Sequence, residues 1–211
     1  LTLTSLLLCY PCFFGSMNIL DDMPFHLSRI QNLAANLSRG DFLPTVYGDA
    51  LNRYGYASSF FYPDLFLYLP AALTAVGMKL IRAYQIFLLL ITMATAITMY
   101  LTTLRLIEIF NISQQSSLAD NSLLKTEQII ALLGTLAYLA FPYRLLNVYF
   151  RGAIGEVLAF VFIPMTIVGT LEIFYSNRGN WKLPTLGIIG LLYSHLISLL
   201  MTSTLVVCII L

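Results

Sequence analysis

Asp21 and Asp22 stand side by side where a long apolar run gives way to polar sequence, and His26 follows four positions after the second. A carboxylate near a bilayer is costly unless partnered, so its presence there points to function. Such a group could act as a general base or hold a divalent cation through its oxygens. The competing explanation is capping: an Asp just ahead of Pro24 accepts backbone N–H bonds and complements the helix dipole. Capping accounts for one aspartate more readily than for two. Asp22, His26 and Arg29 fall at i, i+4 and i+7, which places them on one face of a helix that starts early enough.

A second constellation runs Pro142-Tyr143-Arg144, then Tyr149, then Arg151-Gly152-Ala153 and Glu156. Arginine suits phosphate because its planar fork makes paired bonds to phosphate oxygens. Snorkelling toward headgroups, with Glu156 paired to Arg151, is the plainer alternative, and for Arg144 it is the preferred one. A third stretch, 47–63, is dense in aromatics, Tyr54 among them. Its composition suits an interfacial belt; the same rings can stack on sugars or line a lipid groove. His195 stands alone in an apolar run, either as a hydrogen-bonded interior residue or as an intramembrane functional group. Gly-rich phosphate loops, His-Glu-x-x-His, Gly-x-Ser-x-Gly and paired cysteine metal motifs are all absent from the sequence.

The elements that must position these groups are written in the composition. Of 211 residues, 59% are hydrophobic and 10% charged, against roughly 25% charged in a soluble domain. This is the composition of an all-α integral membrane protein. The formal net charge of +1 excludes a nucleic-acid surface, which needs clustered Lys and Arg. A first transmembrane helix is expected over 1–20, since a signal peptide would show a charged n-region and a small-x-small cleavage site. An outer loop follows over 21–83, with interfacial helices at 24–39 and 63–79. Further spans are expected at 84–105, 127–143, 157–176 and 183–211. Leu27, Ile30, Ala34 and Leu37 recur at helical spacing in the first interfacial helix, with Arg29, Asn32 and Asn36 on another face. Cys9, Cys12 and Cys208 lie in apolar runs and are expected as buried thiols. Both chain ends fall inside apolar runs, so the sequence is expected to be a piece of a longer bundle.

Sidedness follows from treating 63–79 as interfacial. Span 84–105 then runs inward, the break 105–127 is cytoplasmic, and Arg144–Glu156 emerges outside. Arg178 and Lys182 fall inside, as the positive-inside rule prefers. Both ionisable clusters share the outer face in this arrangement.

The strings Asp22-x-x-x-His26-Leu27-x-Arg29-Ile30, Gly40-Asp41-Phe42, Tyr54-Gly55-Tyr56 and Phe61-Tyr62-Pro63-x-Leu65 resemble the first outer loop of membrane glycosyltransferases of the GT-C fold. Pro142-Tyr143-Arg144-Leu145-x-x-x-Tyr149-x-Arg151-Gly152-Ala153-x-x-Glu156 and Ser194-His195-Leu196 resemble a bacterial branch of that fold labelled 6-pyruvoyl-tetrahydropterin synthase-related membrane protein. The sequence departs from that branch at Asp21, where Gly is common, and at Asn147, where an acid is common. The resemblance implies a polytopic helical bundle of GT-C type in the bacterial cytoplasmic membrane. It would move a sugar from a polyprenyl-phosphate carrier to an acceptor on the outer face. By the same resemblance Asp22, or its neighbour Asp21, is the catalytic base. Arg151 and Arg29 would neutralise the departing phosphate, while His26, Tyr54, Glu156 and His195 contact substrate. If a divalent cation such as Mg or Mn assists, Asp21, Asp22 and Glu156 are its oxygen ligands. The competing classes are a lipid-carrier flippase or transporter, which predicts midplane charges in discontinuous helices, and a membrane assembly subunit.

Overall fold

The computed structural model describes residues 1–14, 21–111, 121–176 and 180–211. Among these residues ten α-helices follow in chain order: α1 (Thr2–Phe14), α2 (Met23–Ser38), the single turn α3 (Ala50–Arg53), α4 (Tyr68–Ala75), α5 (Leu80–Asn111), α6 (Asn121–Leu139), α7 (Pro142–Leu146), α8 (Ile154–Tyr175), α9 (Lys182–Ser194) and α10 (Leu196–Ile210). Among the described residues there is no β-strand, only an isolated antiparallel bridge between Tyr47 and Tyr56. Leu80–Phe110 and Ile154–Tyr175 are each long and apolar enough to cross a bilayer. Thr126–Leu139 and Pro142–Arg151 make a third candidate if a pair bent by 46° is counted as one span. These helices fit a membrane protein. The expected span over 1–20 is described as far as Phe14, and residues 15–20 lie outside the described residues. So do 112–120 within the expected cytoplasmic break, and Arg178.

α8 is the central column, packed on α5, α9 and α10. It touches α9 through small residues. A Cβ on Gly187 would stand 2.6 Å from the backbone nitrogen of Thr166, and one on Gly169 would stand 2.5 Å from the Pro184 ring. Lipid tails are as apolar as Leu, so helices in a membrane associate by close packing rather than by escaping solvent. α1 meets α5 by the same rule, with Ser5, Cys9 and Cys12 buried at i, i+4 and i+7. α2 lays Leu27, Ile30, Leu33 and Ala34 into the core against α4 and α5.

Three expectations change here. The run 183–211 is two helices, broken at His195, whose backbone is extended (φ −155°, ψ 108°). Along α8, Pro184 meets Gly169 and Gly190 meets Phe162, so α9 runs antiparallel to it. Ile197 and Met201 share a cavity with Phe160 and Ile163, whereas Val206 and Ile209 share one with Ile167 and Leu171. α10 therefore runs alongside α8 in the same sense, opposite to α9. Second, Arg144 does not snorkel. It is 1% exposed, donating to the Leu139 carbonyl at 3.1 Å and to Thr92 Oγ1 at 3.0 Å. Pro142 holds Phe141 in the extended region (ψ 126°), and the resulting bend turns Arg144 inward to cap α6. Third, Cys9 and Cys12 are buried but Cys208 is exposed on α10, because that helix buries little besides Thr202.

Gly187→Ala forces a methyl against Thr166 backbone that cannot move without shifting α8. Overpacking of this kind costs about 1–3 kcal/mol, and a lower unfolding temperature in detergent is expected. Gly134→Ala, whose Cβ would meet only Thr103 at 3.9 Å, is expected to leave that temperature nearly unchanged.

Candidate functional site

Two chain segments distant in sequence are tied together at their backbones. The Asp22 N–H donates to the Arg151 carbonyl at 3.0 Å. Asp21 sits at φ +53°, a left-handed conformation that Asp tolerates better than most residues, and this turns the chain into α2. On the other side, Asn147–Arg151 forms a π-helical turn that ends at Gly152 with φ +65°. Glycine is required twice over at that position. The conformation penalises other residues, and a Cβ would stand 2.5 Å from Cβ of Met23. The π turn opens the helical ladder and presents Arg151 and Asn147 on one side of the break.

Arg151 is the centre of the cluster. Its Nη2 donates to Asp22 Oδ2 at 2.9 Å, its Nε to Asp21 Oδ2 at 3.4 Å, and its Nη1 to Glu156 Oε1 at 2.9 Å and Asn147 Oδ1 at 3.0 Å. Glu156 Oε2 accepts in turn from Asn147 Nδ2 at 2.8 Å and from the Tyr143 hydroxyl. One guanidinium thus faces three carboxylates, so the cluster keeps a surplus of negative charge. Asp22 occupies the N-cap position of α2 but makes no side-chain cap bond; its carboxylate is given to Arg151 instead.

The cluster lies at the polar end of a cavity of about 630 Å³. Asp22, His26, Tyr62, Arg151, Glu156 and His195 line that end, and Tyr138, Phe141, Phe160, Ile163, Ile197 and Met201 line the other. Of the residues singled out in the sequence, Asp22, His26, Arg151, Glu156 and His195 meet here. Asp21 touches Arg151 from outside the cavity wall.

Arg29 does not reach it. Only 3% exposed, it donates through Nη2 to Asp64 Oδ1 at 2.5 Å and to the carbonyls of Tyr62 at 2.9 Å and Pro63 at 3.1 Å. Its guanidinium also lies over the Phe25 and Tyr62 rings, at 5.5 and 5.2 Å. With Tyr47 donating to Asp64 Oδ2 at 2.6 Å, the ion pair pins segment 62–64 beneath the cavity floor. Removing one partner of a buried pair typically costs about 3–5 kcal/mol, so Arg29 serves the scaffold rather than a phosphate. Tyr54 is 91% exposed and lies outside the cavity, because the left-handed turn at Leu51, Asn52 and Arg53 carries it away. The expected ligand set for a divalent cation does not form either. Among the described residues no three His, Cys, Asp or Glu side chains converge on one point; Asp21, Asp22 and Glu156 are instead fanned around three different nitrogens of Arg151.

Sequence reasoning missed Asp64, and named Tyr143 and Asn147 without giving either a role in the site. Tyr143 and Glu156 are separated by a helix break, and Asp64 by 35 positions from Arg29; neither spacing carries a periodic signal.

Set against models of protein families, curated proteins and solved structures, the chain matches none.

His26 is held neutral. Burial first, then the Arg29 charge and the neighbouring His195, push it down to about 3 from an ordinary value near 6.5. The unfolded chain takes up that proton between pH 6.5 and 3 while the folded chain refuses it. The stabilisation is complete above pH 6.5 and is lost as pH falls toward 3. The unfolding temperature of the wild-type chain is expected to drop over that window more steeply than that of His26→Gln, measured in the same detergent.

Proposed function

We propose that the chain forms the catalytic end of a membrane glycosyltransferase that takes a sugar from a polyprenyl-phosphate carrier at the outer face of the bacterial cytoplasmic membrane. The observation that carries this reading is the amphipathic cavity: a carboxylate and guanidinium cluster at one end, and a wall of aromatic and aliphatic side chains at the other. Such a cavity suits a substrate with a polar, sugar-bearing head and a long hydrocarbon tail, in the manner of small-molecule sites whose few polar groups fix orientation.

In this mechanism Asp22 is the general base. Of the two adjacent acids it is the one that lines the cavity, and Arg151 fixes its orientation at 2.9 Å. Its carboxylate takes the proton of an acceptor hydroxyl. That oxygen attacks the anomeric carbon as the bond from this carbon to the phosphate oxygen breaks, and the electron pair leaves with the lipid phosphate. Glu156, held by Tyr143, Asn147 and Arg151, positions the head group.

A second reading, movement of the carrier without chemistry, draws on the break at His195, since broken helices at a binding site are a device of transporters. Catalysis separates the two. Asp22→Asn in the intact protein is expected to cut sugar transfer from prenyl-phosphate-linked donors by a factor of about 10²–10⁴; full activity in that variant would sink the transferase reading.

Sidedness is tested separately. In a background with Cys9, Cys12 and Cys208 replaced, a cysteine at exposed Tyr54 is expected to react with an impermeant thiol reagent on intact cells, and one at exposed Lys182 to react only after permeabilisation.

A further inference from the structure

The polar end of the cavity holds hydrogen-bond donors that no group among the described residues uses. His26 is 3% exposed, yet it lines the cavity. Its Nδ1 lies 3.3 Å from Arg29 Nη1. A guanidinium can only donate, so Nδ1 accepts and the proton of the neutral ring sits on Nε2. His195, 9% exposed, repeats the arrangement, with its Nδ1 accepting the backbone N–H of Ser198 at 3.3 Å. Neither Nε2 has a partner among the described residues. The Tyr62 ring stands near both imidazoles, with centroid separations of 6.0 and 6.4 Å.

His195 also opens α10. Its side chain takes the Ser198 N–H and its carbonyl takes the Leu199 N–H at 3.1 Å. The N–H groups of Leu196 and Ile197 are left without an acceptor among the described residues. Ile197 and Ser198 belong to the cavity wall, so the positive end of the α10 dipole and the unpaired backbone donor of Ile197 stand at the cavity. A helix start of this kind accepts phosphate oxygens. The guanidinium of Arg151 is a poor receptor for an anion, because three carboxylates already surround it.

We infer that Nε2 of His26, Nε2 of His195 and the opening turn of α10 together bind the phosphate of a lipid phosphate, whose hydrocarbon chain lies along Tyr138, Phe141, Phe160, Ile163 and Met201. The inference rests on the lipid-phosphate reading above and adds to it the atoms that hold the phosphate. Lipid is favoured over free phosphate because the remainder of the wall is apolar.

The test uses the full chain in detergent with farnesyl phosphate, farnesol and inorganic phosphate as probes. Farnesyl phosphate is expected to bind more tightly than farnesol. His26→Leu and His195→Leu are each expected to weaken farnesyl phosphate roughly tenfold, or about 1.4 kcal/mol, and to leave farnesol unchanged. His→Gln, whose amide nitrogen stands near the position of Nε2, is expected to recover part of the loss. Discrimination by the wild-type chain with no effect of the leucine variants overturns this assignment and leaves the functional reading standing. No discrimination between farnesyl phosphate and farnesol removes both. Inorganic phosphate competing as well as farnesyl phosphate overturns the lipid assignment. If the leucine variants lose farnesol binding as well, the histidine ¹⁵N resonances of the wild-type chain decide: a shift at both Nε2 signals on adding farnesyl phosphate supports the site, and none rejects it.

Discussion

Arg151 donates hydrogen bonds to side chains from three places in the chain: the turn before α2, the π turn that contains Arg151 itself, and the first turn of α8. An arginine can do this because its five N–H groups radiate in a fixed plane. The arrangement is strengthened by partial withdrawal from water, since the Arg151 side chain is 31% exposed and that of Glu156 14%, and charge-assisted bonds gain as the local dielectric falls. The carboxylates repel one another, so the guanidinium is what allows Asp21, Asp22 and Glu156 to share one neighbourhood. The orientation of Asp22, the polar end of the cavity and the docking of the chain turn that opens α2 all follow from that one guanidinium.

Below this cluster the bundle is held by fit rather than by charge. The α8–α9 contact is made where Gly169, Gly187 and Gly190 let a ring or a backbone approach closer than any Cβ would allow. A second arginine, Arg144, is spent inside the protein on a helix end and a threonine. The two arginines of the Pro142–Glu156 string therefore have opposite employments, one internal and one at the cavity, although they lie only seven positions apart.

That contrast shows where the sequence is readable. The helical segments are legible because apolar length and periodicity are properties of a single stretch: the stretch 24–39 corresponds to the helix α2, Met23–Ser38, and the apolar run 157–176 to α8, Ile154–Tyr175, a helix long and apolar enough to cross a bilayer. Asp22, His26, Arg151, Glu156 and His195 stood out because ionisable residues are scarce in this composition. What stayed hidden depends on pairing across the fold. Nothing in the spacing tells Arg29 to face Asp64 rather than the cavity, or Tyr54 to turn outward through three left-handed residues. The break at His195 was hidden for a different reason. It needs neither Pro nor Gly, only an extended residue whose imidazole caps the helix that follows.

The contact of Gly152 with Met23 leaves no slack between the start of α2 and the start of α8, and the Asp22–Arg151 backbone bond spans the same gap. The two helices are thus geared. Work done on one is done on the other, so a torque that tilts α2 must also deform the seat of Arg151. Linkage makes the relation reciprocal: whatever settles against the cluster also stiffens the resting angle of α2.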